Sequence, residues 1–186
     1  MFVNSHIASG YLAGRLSKLE SKWVWLLIFA TIIPDIDGIW SNTVAGHHSI
    51  LHTPIFWIVI CSMSGIIGRI KKHNDIEKGS KIILLGIMLH LITDWLTART
   101  VGIQWLYPFY ETNYWVYSIE PEKGNIPIWD MVIPPYINFY FENKLLVYSE
   151  ILVNFAALGW AGKIYFNKKS KKPNKIKMDS PIKNAF

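Results

Sequence analysis

The stretch "KIILLGIMLHLITDWLTA", residues 81–98, is apolar after its first lysine until His90 and Asp94 interrupt its second half. Four residues apart on a helix, these two share one face, where an imidazole and a carboxylate either converge on a metal ion or hydrogen-bond to each other in a core. Other stretches carry the same residue types. "IIPDIDG" sets Asp35 and Asp37 around a helix break made by Pro34 and Gly38, where they act as cap and turn residues or as ligands. "GHHSILHTP" brings His47, His48 and His52 to a loop-to-helix junction before Pro54. These are exposed loop histidines or a converging set, and His52, against an apolar segment, is costly to bury without a partner. His6 stands near the first residue, at a helix start. Imidazoles with carboxylates suit zinc or another borderline divalent cation, and bridging carboxylates can hold two such ions. A pair of metals activates water and clamps the oxygens of a phosphoester.

Positioning these groups falls to four apolar segments, residues 23–33, 54–70, 82–98 and 145–166. Only the last reaches the roughly 20 residues of a full bilayer span. With 51% hydrophobic and 17% charged residues in a chain of 186, membrane association is the starting expectation. Charge placement strengthens it. All the Lys and Arg except Arg99, Lys123 and Lys144 fall in blocks at 15–22, 69–81 and 163–183, between or beyond the apolar segments. With these blocks cytoplasmic, the positive-inside rule gives four alternating passes and a cytoplasmic C-terminus. The alternative is a soluble helical bundle whose charged loops are simply solvated. In the membrane arrangement a short helix from His6 to Lys18 comes first. His6, Asp35, Asp37, His47, His48, His52, His90 and Asp94 then gather at the outer face, while His73 lies in the basic loop opposite. The expected fold is therefore all-α and multi-pass, with about four spans plus the short N-terminal helix.

One domain covers 1–166, and its outer region, 99–144, is dense in Trp, Tyr, Phe and Pro, as in a headgroup-level lid or an ordinary structural cap. Residues 167–186 read as a basic, disordered tail in contact with anionic lipid. Glu150, inside the last apolar segment, is a functional candidate because intramembrane acids are expensive. The single Cys61 excludes an internal disulfide and any multi-cysteine zinc motif. The N-terminus lacks the pattern of a cleaved signal peptide. Neither a glycine-rich phosphate loop nor a Ser or Cys nucleophile motif is present, and no fold for nucleic-acid recognition accompanies the basic tail.

"IIPDIDG", "GHHSILHTP", "HLITDWLT" and "GIQWLYPF", in this order and with His6 ahead of them, resemble the YdjM-like family of membrane-bound metal-dependent hydrolases, LexA-regulated in some members. The resemblance spans about residues 3–117. It implies an inner-membrane helical protein with His6, Asp35, Asp37, His47, His52, His90 and Asp94 as metal ligands. Many relatives have His-Arg where this chain has His47-His48. The order of ligands is also similar, in part, to that of zinc-dependent phospholipase C. That pattern continues with further histidines and a glutamate, whereas no His follows His90 here, so one or two ions are expected, zinc foremost. The expected activity is hydrolysis of a phosphoester or lipid-linked substrate by a metal-activated water. Asp35 or Asp37 serves as base, and His52, His90 and Asp94 hold the ion that polarises the substrate. Membrane lipids and an amphiphilic phosphoester are the expected partners, with no nucleic acid. The competing expectations are a structural or ion-binding metal site without turnover, and a metal-free helical scaffold.

Overall fold

A computed structural model describes residues 1–170, and every regular element among them is helical. The main helices are α1 (Val3–Leu16), α2 (Ser21–Ala30), α3 (Pro54–Ile70), α4 (Asn74–Thr97), α5 (Tyr136–Glu142) and α6 (Lys144–Ser170). Tight turns join α1 to α2 and α3 to α4. Each turn places one lysine in the left-handed region, Lys18 at φ 54° and Lys72 at φ 56°, a conformation that a single residue tolerates where the chain must reverse. The two turns lie side by side: Lys22 Nζ is 3.1 Å from Asp75 Oδ2, and Lys78 Nζ sits 5.0 Å from the Trp23 ring centre. Two of the basic blocks are thereby brought to one end of the bundle. The long connections, 31–53 and 98–135, occupy the other end.

α2 is the element on which the others assemble. It buries Trp23, Val24, Leu27, Ile28 and Ala30 between α1 and α4. Close approach is possible because Gly86 of α4 faces it; a Cβ there would lie 2.5 Å from that of Ala30 and 3.0 Å from the Leu27 carbonyl oxygen. Small residues at a crossing let helix backbones approach in this way. Ala30, Trp57, Ile87, Leu91 and Ile103 form the core beneath the loop-bearing end. Ile103 is held there by paired backbone hydrogen bonds with Tyr114, at 2.9 and 3.0 Å.

α6 is apolar on nearly all sides, and Leu152, Phe155 and Leu158 are about 70% exposed. Two polar groups in its middle turn inward: Asn154 donates to Ser5 Oγ of α1 at 2.9 Å, and Glu150 is buried. Apolar outside and polar inside is the arrangement a lipid environment favours. Among the described residues, α4 and α6 are long and apolar enough to cross a membrane. α2, with 10 residues, and α3, with 17, are apolar but shorter. α2 stops before residue 33, where the first apolar segment was expected to end, because Pro34 lacks an amide hydrogen and disfavours helix in the residue ahead of it. The chain continues instead as a 3-10 turn, Ile33–Ile39. α6 runs to Ser170, past the expected start of the tail at 167, and the remaining tail lies outside the described residues.

Candidate metal centre

Four elements meet at the loop-bearing end. α1 supplies His6 from its first turn, the Ile33–Ile39 turn supplies Asp35 and Asp37, a later 3-10 turn, Ile50–His52, supplies His52, and the last turns of α4 supply His90 and Asp94. His6, Asp35, His90 and Asp94 each offer a ligand atom within 4.8 Å of the others. His52 joins them: its Nε2 is 3.3 Å from His90 Nε2, 3.7 Å from Asp35 Oδ1 and 3.9 Å from Asp94 Oδ2. The spacing of His90 and Asp94 thus places both side chains in one cluster, with Nε2 of the first 3.0 Å from Oδ2 of the second.

What makes these imidazoles a site is the occupation of their other nitrogens. His90 Nδ1 donates to the Thr31 carbonyl at 2.9 Å, and His52 Nδ1 donates to Asp37 Oδ2 at 3.2 Å. His6 Nδ1 lies 3.4 Å from Thr93 Oγ1, whose own hydrogen goes to the His90 carbonyl. A hydrogen held on Nδ1 leaves Nε2 as a lone pair, the tautomer that binds metal. With all three rings neutral, three lone pairs face two carboxylates. His6 Nε2 and Asp35 Oδ2 are buried without a hydrogen-bond partner, although His6 Nε2 is 3.1 Å from Asp94 Oδ1. Proximity without hydrogen-bond alignment is expected of groups aimed at a common point. Orphaned buried polar atoms cost about 1–3 kcal/mol each, and a divalent cation together with a water it holds would satisfy both. The nitrogen and oxygen donor set fits zinc or a similar ion. Asp94 Oδ1 also accepts from the Met1 amino group at 2.7 Å.

A match to the family model of the YdjM inner membrane protein extends over residues 1–167. The chain belongs to that family. No curated protein and no solved structure matches it. Membership, with two helices of membrane-crossing length, makes this an inner-membrane protein. The YdjM match takes in every helix through α5, all but the last three residues of α6, and all the histidines and aspartates described above.

In this YdjM-family chain the two aspartates of "IIPDIDG" have different surroundings. Asp35 borders cavities, whereas Asp37 is fully buried and accepts from Ser49 Oγ at 2.7 Å, His52 Nδ1 at 3.2 Å and His47 Nδ1 at 3.3 Å. Burial pushes the Asp37 carboxyl upward, but those hydrogen bonds outweigh it and hold the group well below the usual carboxylate range. For Asp35, burial is likewise opposed by His52 and by the imidazoles of His90 and His6, and the net shift is downward. Burial depresses His52, yet Asp35 and Asp37 more than reverse this and raise it to about 9.

His47 does not reach the main cluster. It forms a second group with His48 and His52, their ligand atoms within 4.8 Å of one another. His48, absent from the ligand set implied by resemblance, stacks on His52 with ring centres 4.4 Å apart and donates from Nδ1 to the Gly102 carbonyl at 3.3 Å. Burial, with His52 and His47 beside it, holds its pKa well below the ordinary value and keeps it neutral. Its adjacency to His47 was the only sequence signal. His73 sits in the α3–α4 turn at the far end. Glu150 ties elements together, accepting from the Phe2 amide at 2.7 Å and from Tyr140 Oη at 2.8 Å.

Two cavities adjoin the cluster. One, of about 260 Å³, is walled mainly by Phe2, Val3, Ile128, Trp129 and Val132, with Asp35 and His47 at its edge. The other, about 60 Å³, is lined by polar groups including Asp35, His47, His48, Asp94 and Arg99.

Proposed function

We propose that this YdjM-family protein is a membrane-bound metal-dependent hydrolase of a phosphoester with an apolar chain. The observation that carries the reading is the convergence of His6, His52 and His90 Nε2 on Asp35 and Asp94, each ring held from behind through Nδ1. These five residues would hold one ion, zinc foremost. A second would rely on His47, His48 and His52, whose nearby carboxylate, Asp37, already has donors on both oxygens. A divalent ion supplies a Lewis acid and acidifies a water.

The chain's own residues do the rest. Asp35 Oδ1 lies among the imidazoles while Oδ2 has no donor, so this carboxylate is assigned both a ligand oxygen and the proton-accepting oxygen. Asp37 is assigned as the positioning carboxylate that fixes His47 and His52. The apolar cavity beside Asp35 accommodates a hydrocarbon chain, and exposed Phe109, Tyr110 and Trp129 suit the headgroup region. Four passes follow if α2 and α3 are completed by their flanking turns. The basic turns at the opposite end are then cytoplasmic, the site faces outward, and the C-terminus is cytoplasmic.

Detergent-purified, zinc-loaded protein assayed on bis(p-nitrophenyl) phosphate and on phospholipid in mixed micelles tests the reading. Turnover is expected to vanish with chelation and to fall by about 10²–10⁴ in Asp35→Asn. Stoichiometric metal with no turnover on either substrate class would favour a structural or ion-binding centre.

A further inference from the structure

The cation closest in sequence to the cluster is Arg99, two residues beyond the end of α4. Its guanidinium lies 5.5 Å from the Phe139 ring centre and 5.2 Å from that of Tyr140. Among the described residues it makes no side-chain hydrogen bond, and no carboxylate comes within 4.0 Å of it. The acids whose charges act on it are engaged elsewhere: Glu150 by the Phe2 amide and Tyr140 Oη, Asp94 by Met1 and the imidazoles. Lys123, the neighbouring loop cation, contrasts with it, since Glu120 at 2.9 Å and Glu142 at 3.3 Å already neutralise the ammonium.

Arg99 is among the residues lining the 60 Å³ cavity with Asp35, His47, His48 and Asp94, and it also lines a polar cavity with Glu120 and Glu142. The former holds a few water-sized groups and is too small for a hydrocarbon chain. A planar guanidinium with its donors uncommitted matches the oxygens of a tetrahedral oxyanion, and cation–π contact with two aromatic rings holds it in place beforehand. We propose that Arg99 is the anion anchor of this site, taking the phosphoryl oxygens of a phosphomonoester or phosphodiester in the cavity it shares with Asp35 and Asp94. The assignment rests on the hydrolase reading for its substrate class.

The test measures inorganic phosphate binding calorimetrically to full-length protein in detergent, with zinc and again with chelator, for wild type, Arg99→Gln and Arg99→Lys. The expected result is at least a tenfold loss in Arg99→Gln and a smaller loss in Arg99→Lys, with zinc stoichiometry and melting temperature unchanged. Wild-type phosphate affinity in Arg99→Gln would overturn the proposal. If that variant does not fold, phosphate protection of Arg99 from phenylglyoxal in wild type decides, and absence of protection overturns it equally. Phosphatidic acid in mixed micelles gives the second arm. Tighter binding than inorganic phosphate with the same Arg99 dependence identifies a lipid headgroup, and equal binding identifies the bare phosphate group; both support the anchor. Zinc binding without any Arg99 effect sinks this inference alone. An Arg99-dependent phosphate affinity in protein that takes up no zinc sinks the hydrolase reading and leaves the anchor.

Discussion

A carboxylate behind an imidazole fixes its tautomer and its aim, and Asp37 does this for His52 and His47 at once. Replacing it by Asn puts an amide where two imidazole hydrogens and the Ser49 hydroxyl now find acceptors. Asp37→Asn is expected to weaken zinc binding by about 10–100-fold, as second-layer losses do, and competition against a chromophoric chelator measures it. Protonation gives a second handle at this scale. His52, raised to about 9 by Asp35 and Asp37 against the opposing effect of burial, carries a proton at neutral pH in the metal-free protein. Metal must displace that proton. Apparent zinc affinity should therefore climb between pH 7 and 9, by up to about tenfold per unit for the one proton released, and level off above 9. A flat profile over that interval would remove His52 from the ligand set.

At the scale of elements, the site depends on how closely α2 and α4 approach. Thr31, at the end of α2, holds His90 of α4 through its carbonyl, and the Gly86–Ala30 contact sets the spacing one helical turn below. Gly86→Val should destabilise the protein by about 1–3 kcal/mol through overpacking and lower zinc occupancy with it, both readable by thermal melting with and without metal. The residues that meet here were largely legible beforehand. His90 and Asp94 announce a common face by their spacing, and the charge blocks place His6 and the two loop clusters at the same end. The division of labour between Asp35 and Asp37 was not legible, because it depends on the turn type. In a 3-10 turn, with three residues per turn, side chains two apart diverge by about 120°, so the pair splits between the cluster and its backing. His48 was missed as a partner of His52 because stacking depends on loop geometry that carries no sequence period. In the sequence Arg99 is only a stray outer charge, since its environment is built by Phe139 and Tyr140, forty residues further along.

For the whole molecule, the basic turns lie at one end and the histidines and aspartates at the other, with the exposed apolar surface of α6 along the side. The four-pass arrangement predicts that a cysteine introduced at Phe109, in a Cys61→Ala background, reacts with a membrane-impermeant maleimide in intact cells. One at Lys72 should react only after permeabilisation. The reverse pattern would invert the topology and place the site in the cytoplasm. Every role assigned to the loop-bearing end depends, however, on the presence of a metal. Elemental analysis of detergent-purified wild type beside a His90→Ala, Asp94→Ala double variant, both shown to be folded by circular dichroism, tests this most directly. About one equivalent of zinc or a similar divalent ion in the wild type, lost in the variant, is the predicted result. Folded wild type that stays metal-free after reconstitution would contradict the account and leave the buried imidazoles and carboxylates as a hydrogen-bonded core.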